Sequence, residues 1–141
     1  MVAAALGAAA LTGLLLAGSA LGSWSVTASS GEMQLVTATL DAPTSVNVQE
    51  TCTKHVSTVE TVGWTASTSP AVAGYSIYRS GTSGGPYTLL GTVTGRTTTS
   101  YHDSATDWST TYYYVVASTR NAWKSPNSSQ VSITTSNKNC G

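Results

Sequence analysis

Between Pro43 and Thr135, apolar and polar side chains alternate in short runs, and each run is closed by a turn signal. Alternation with a period of two puts successive side chains on opposite faces of an extended chain, so such runs fold as strands with one buried face. The runs are Ser45–Gln49, His55–Ala66, Gly74–Ser80, Tyr87–Val93, Thr99–Asp103, Thr110–Ser118 and Gln130–Thr135. The segments between them, Ser67–Ala71, Gly81–Pro86 and Gly95–Thr98, are rich in Ser, Gly and Pro, which suit tight turns. No helical period separates the runs, which excludes a βαβ arrangement. The pattern predicts an all-β fold, a seven-stranded sandwich of two antiparallel sheets.

The same parity gives the expected core: Val46, Val48, Val62, Trp64, Tyr75, Ile77, Leu89, Tyr101, Tyr112, Tyr114, Val116, Val131 and Ile133, with Trp64 at the centre. Tyr113 and Val115 fall on the other face of the sixth run, as expected of a central strand bulky on both sides. Glu60 shares its parity with Val56, Thr58, Val62 and Trp64. A carboxylate facing a core is costly, so the pattern predicts either a bulge near Val59 or a solvated first half of that strand.

Six basic residues balance six acidic ones. Without a basic cluster there is no footprint for nucleic acid, nor for an anionic membrane surface. Cys52 and Cys140 stand 88 positions apart, with His55 near the first. A zinc site needs about four ligands at short spacings, which this sequence lacks. A disulfide and two unpaired thiols both remain open on this ground.

Residues 1–22 are apolar and uncharged, as in the hydrophobic region of an export signal or in a membrane anchor, with small residues at Gly18 and Ala20 placing a cleavage site after Ala20. A buried helix of the domain is the third reading, which the near absence of a polar face disfavours. The basic n-region of a signal is missing, so either the true start lies upstream of Met1 or export uses a weaker cue. Residues 23–41 are expected to be a linker or a short extra strand, 42–136 the domain, and 137–141 a tail carrying Cys140. Export places the domain outside the cytoplasm, secreted or on the cell surface, with membrane contact only through residues 1–22 if these are retained.

The order Pro43-Thr-Ser-Val, Val62-Gly-Trp64-Thr, Gly74-Tyr75-Ser-Ile77-Tyr78-Arg, Thr99-Ser-Tyr101-His-Asp103 and Thr111-Tyr112-Tyr-Tyr114-Val-Val116 resembles a fibronectin type III domain of the bacterial extracellular kind. The turn Ser80-Gly-Thr-Ser-Gly-Gly-Pro-Tyr87 is similar to one that bacterial members carry between their third and fourth strands. The resemblance implies an immunoglobulin-like sandwich with Trp64 and Tyr75 in the core and Tyr112 forming a tyrosine corner. Glu60, in place of an aliphatic residue, departs from the pattern, as do Trp108-Ser109 before the sixth strand and Thr106 in place of a capping leucine. The implied topology ends the first and last strands at one pole, which brings Cys52 and Cys140 together as a disulfide. The head of the chain, through Gly22-Ser-Trp24-Ser and Ala38-Thr-Leu-Asp-Ala-Pro43, resembles actinobacterial surface proteins with signal peptides of the spore-coat and biofilm-fibre type.

No catalytic set emerges. His102 and Asp103 have the residue types of a triad, but His102 alternates outward from Tyr101 and no serine lies in a Gly-x-Ser-x-Gly elbow. Asp103, Asp107 and Glu60 do not form a calcium loop, and Gly81, Gly84 and Gly85 lack the Lys-Ser/Thr and helix of a phosphate loop. No enzyme activity and no cofactor are expected. The loop Arg120-Asn-Ala-Trp-Lys-Ser-Pro-Asn-Ser128 sets Trp123 between two cations, Arg120 and Lys124. Trp123 there is either a lid over the end of the core or a stacking platform for a sugar or a protein. Trp108 at the other pole divides the same way, and Tyr113 joins them as a surface aromatic. Asn127-Ser-Ser129 is formally a glycosylation sequon. Two functions follow: a non-enzymatic exported structural or spacer module of the cell envelope, or a carbohydrate- or protein-binding module using these loop aromatics on a cell-wall glycan or envelope protein.

Overall fold

Alternating side chains become strands wherever neighbouring runs can share backbone hydrogen bonds, and from Thr44 to Thr134 every expected run does so. The computed structural model describes residues 23–29 and 32–141, with side chains from Thr39 onward. The expected export signal or anchor over 1–22 lies outside the described residues.

The strands are β1 (Ser23–Ser29), β2 (Glu32–Ala38), β3 (Thr44–Thr53), β4 (Ser57–Thr65), β5 (Gly74–Ser80), β6 (Thr88–Thr94), β7 (Ser100–Asp103), β8 (Thr111–Arg120), β9 (Trp123–Lys124) and β10 (Val131–Thr134). Strands β1 and β2 pair as an antiparallel hairpin from Ser23↔Ala38 to Ser29↔Glu32, two strands where a linker or one short strand was expected. One sheet of the sandwich has the order β3-β4-β7, and the facing sheet β10-β8-β5-β6, with β9 also on β8. This is the expected two-sheet antiparallel sandwich. Its last strand is divided: β9 and β10 both pair with β8, with Pro126, which has no N–H to donate, between them. Among the described residues, no helix is long and apolar enough to cross a membrane.

Between the sheets lie Val62, Trp64, Tyr75, Ile77, Tyr112, Tyr114 and Val116, all buried, with Val46, Val48, Tyr101, Val131 and Ile133 half-buried at the margins. The Trp64 and Tyr75 rings meet at 5.3 Å, tilted 58° to each other. Such an oblique contact suits aromatic quadrupoles better than face-to-face stacking. The Tyr75 hydroxyl accepts from Ser67 N at 3.0 Å and donates to Arg96 O at 2.8 Å, tying two loops to the core. The hydroxyl of Tyr112 accepts from Asp107 N at 3.0 Å, five residues upstream, which is the tyrosine corner that the resemblance implied. Thr106 compensates for the missing leucine with a hydrogen bond: its Oγ1 lies 2.8 Å from that of buried Thr58.

Three expectations need correction. Leu89 is 53% exposed, because the register of β5 with β6 shifts between Ile77 and Tyr78 and turns Leu90 toward the core instead. The second run, read from His55, begins only at Ser57, because Thr53–Val56 closes the β3–β4 turn and leaves Val56 exposed. Glu60 was expected beside a bulge or in a solvated stretch, yet the β3–β4 register runs unbroken from Asn47↔Gly63 to Thr53↔Ser57 and Glu60 is 0% exposed. Parity alone also missed Leu40 and Val72. Both are buried from loop positions, and Leu40 is held in place where Asp41 N donates to Ser69 Oγ and Ser118 Oγ donates to Asp41 O.

Candidate functional site

Two groups of residues stand out: the aromatics singled out in the sequence, and a set of carboxylates inside the sandwich. The aromatics do not gather. Trp123 sits on β9, half-buried against the core, and its two cationic neighbours turn elsewhere. Arg120 Nη1 donates to Ala71 O at 3.0 Å, and the Lys124 ammonium lies over the Tyr78 ring at 4.7 Å. Trp108 is half-buried between β7 and β8, where its carbonyl accepts from Thr110 Oγ1. Tyr113 is half-buried on β8, paired in register with Ser80 and Ser132. Asn127 of the sequon is exposed.

The triad types do not converge either. His102 is exposed and its Nδ1 lies 3.0 Å from Thr61 Oγ1, while Asp103 points into the sandwich. Among the described residues, no three His, Cys, Asp or Glu side chains are placed to hold a metal ion. These observations and the fold are consistent with a non-enzymatic domain.

Cys52 and Cys140 are joined by a disulfide, with Cα atoms 5.7 Å apart. The tail around it is anchored from both sides. His55 N donates to Lys138 O at 2.8 Å, and Glu50 accepts from both Ser136 N and Ser136 Oγ at 2.7 Å.

The carboxylates follow from register. Glu50 lies opposite Glu60, and Glu60 opposite Asp103, so the rung that crosses β3, β4 and β7 consists of three acids on the inward face. Asp103 is well compensated: Oδ2 is 2.7 Å from Arg79 Nη1 and accepts from the Tyr114 hydroxyl at 2.9 Å, and Oδ1 accepts from Ala105 N. The Arg79 guanidinium also lies 4.6 Å from the centre of the Tyr112 ring. Burial alone would lower the Arg79 pKa, but the hydrogen bond and charge of Asp103 leave it above its ordinary value. Burial, then the Asp103 charge and hydrogen bond, push the Tyr114 phenol up.

Glu60 has no such support. Both of its carboxyl oxygens are buried without a hydrogen-bond partner among the described residues, as is Trp64 Nε1. Burial, then the charges of Glu50 and Asp103, push its carboxyl up to about 7. The sequence flagged Glu60 as misplaced but not the rung, because register across three strands cannot be read from one strand's parity.

A solved Fn3-like protein from Clostridium thermocellum matches with a TM-score of 0.57 at 30% identity, covering 66% of this chain and 90% of that one. This chain belongs to the fibronectin type III-like family. A solution structure of the fn3 domain of human contactin 1 matches this fibronectin type III-like chain with a TM-score of 0.58 at 19% identity, covering 93% of it and 94% of the contactin domain. The sixth fibronectin type III domain of human fibronectin type III domain containing protein 3 matches with 0.52 at 23%, over 79% and 92%. At those identities the two human domains speak for the fold alone. No family model and no curated protein matches the chain.

Proposed function

We propose that this fibronectin type III-like domain is a non-enzymatic exported module, secreted or held at the cell surface, with a structural or spacer role in the cell envelope. The observation that carries the proposal is where the chain enters and leaves the sandwich. It enters beside Leu40 and Asp41, at the end where Thr44 pairs with Thr65, and is last tied at Cys140 to Cys52, at the far end of the same ten-residue strand. A strand of that length spans roughly 30 Å, so entry and exit lie at opposite poles, as in a spacer loaded along its length. The disulfide suits an oxidising compartment and ties the exit pole against peeling. In that role the neighbours would be a cell-wall glycan or another envelope protein.

The test is fractionation of cells expressing the tagged full chain, with thiols alkylated at lysis. Recovery in the envelope or medium, with Cys52 and Cys140 unalkylated, supports the proposal. Recovery in the cytoplasm with both cysteines alkylated would overturn it.

A further inference from the structure

The inward rungs of the β3-β4-β7 sheet change character along the strands. One is apolar, Val48 with Val62 and Tyr101, and the next is the acid rung of Glu50, Glu60 and Asp103. Its three members differ in support. Asp103 is 2% exposed and holds a guanidinium and a phenol, whereas Glu50 sits half-buried on the edge strand β3 and holds only the neutral donors of Ser136. Glu60, between them, holds no hydrogen-bond donor among the described residues.

Among the described residues, the other elements around Glu60 supply no free cation. From β5 comes Arg79, committed to Asp103 and to Ala105 O. From β8 come the phenols of Tyr114, committed to Asp103, and Tyr112, committed to Asp107, whose carboxylate adds a further negative charge at that pole. Strand β10 carries no titratable side chain, and Lys54 and His55 of the β3–β4 turn and Lys138 of the C-terminal segment are exposed. An acid in this position keeps its proton until water can reach it.

We propose that the acid rung is a proton-operated latch on the C-terminal segment: while Glu60 holds its proton, Glu50 stays inward and clasps Ser136, and when that proton is lost to solvent, Glu50 swings out and releases the segment as far as the disulfide. Glu50 is the member that yields, because Asp103 has the Arg79 guanidinium as a counter-charge whereas Glu50, on the edge strand, has only the neutral donors of Ser136. The Cys52–Cys140 bond keeps the released segment tethered, so the opening is local and reversible.

The test is amide hydrogen exchange on the oxidised full chain from about pH 5.5 to about pH 8.5, corrected for intrinsic exchange, following the Ser136 amide with the Trp64 amide, bonded to Thr99 O, as core reference. Ser136 protection is expected to fall by about tenfold or more across the range while Trp64 protection changes less. Glu60→Gln is expected to hold Ser136 protection level. Glu50→Gln, which removes the charge that must move, is expected to flatten the dependence and keeps the test open should Glu60→Gln fail to fold. Ser136 protection independent of pH in the parent, an undiminished fall in either variant, or a parallel fall at Ser136 and Trp64 would overturn the latch.

Discussion

The hydroxyl of Tyr114 donates to Asp103 Oδ2 across the sandwich at 2.9 Å, joining the two sheets at a point where both partners are buried. Arg79 completes the arrangement from β5, so one carboxylate of β7 is held by two residues of the opposite sheet. Removing either partner strands a buried acid, but not equally. Tyr114→Phe deletes a neutral donor and is expected to cost about 1–3 kcal/mol. Arg79→Ala leaves Asp103 without its counter-charge and is expected to cost about 3–5 kcal/mol. Urea melts at neutral pH check both, and the double variant should cost less than the sum because the two share Asp103.

Trp64→Ala is expected to cost about 3–5 kcal/mol, since it empties the centre of the layer against Tyr75. Trp123→Ala should cost clearly less, because that ring is already half in water at the edge of the core. Parallel thermal melts of the two variants check the order.

What the sequence showed and what it hid divide along physical lines. Alternation located each strand of the sandwich within a few residues except two-residue β9, which is too short to show a period. Parity placed Trp64, Tyr75 and Tyr114 correctly because their strands run without interruption. It failed at Leu89, because β6 carries one residue more than β5 between Ile77↔Gly91 and Tyr78↔Leu89, which shifts the facing. Leu40 and Val72 were hidden because loop residues are buried by tertiary hydrogen bonds and not by a repeating pattern. For the candidate site, Glu60 was visible as an anomaly, whereas its pairing with Glu50 and Asp103 needed two registers that no single strand contains. The grouping of Trp123, Arg120 and Lys124 rested on nearness in sequence, and the structure turns the two cations onto Ala71 and Tyr78.

Gly91 and Gly81 should respond differently to alanine. A Cβ at Gly91 would come within 2.6 Å of the Tyr101 hydroxyl and 2.7 Å of its Cε2, so the Tyr101 ring must shift, whereas one at Gly81 meets nothing within 4 Å. Gly91→Ala is expected to destabilise by about 1–3 kcal/mol and Gly81→Ala by less than about 1 kcal/mol, as read from chemical melts.

Loss of the disulfide should be felt mainly in the unfolded chain. The bond closes a separation of 88 residues, for which loop-closure entropy gives about 4–5 kcal/mol, less any native strain. The double variant Cys52→Ser, Cys140→Ser should therefore unfold at markedly lower denaturant than the parent, and reduction of the parent should reproduce the shift.

Glu60 sets the sign of the pH dependence. Its folded-state value of about 7 lies above the ordinary 4.5, so in that window the folded chain holds a proton that the unfolded chain has released. Stability from this group is therefore present in full at low pH, declines as pH rises from about 4.5 through about 7, and is level above, for a total of about 3 kcal/mol. This is opposite to a salt-bridged carboxylate, whose contribution is lost on acidification. Denaturant melts across the window should show the decline in the parent and its disappearance in Glu60→Gln.

The most direct measurement is a carbon-detected titration of the Glu60 side-chain carboxyl in the folded, oxidised chain. A midpoint near 7 is the result expected of an inward-facing acid, desolvated between Glu50 and Asp103 with an unbroken β3–β4 register. A midpoint near 4.5 would place that carboxyl in water and would contradict both the acid rung and the strand register that creates it.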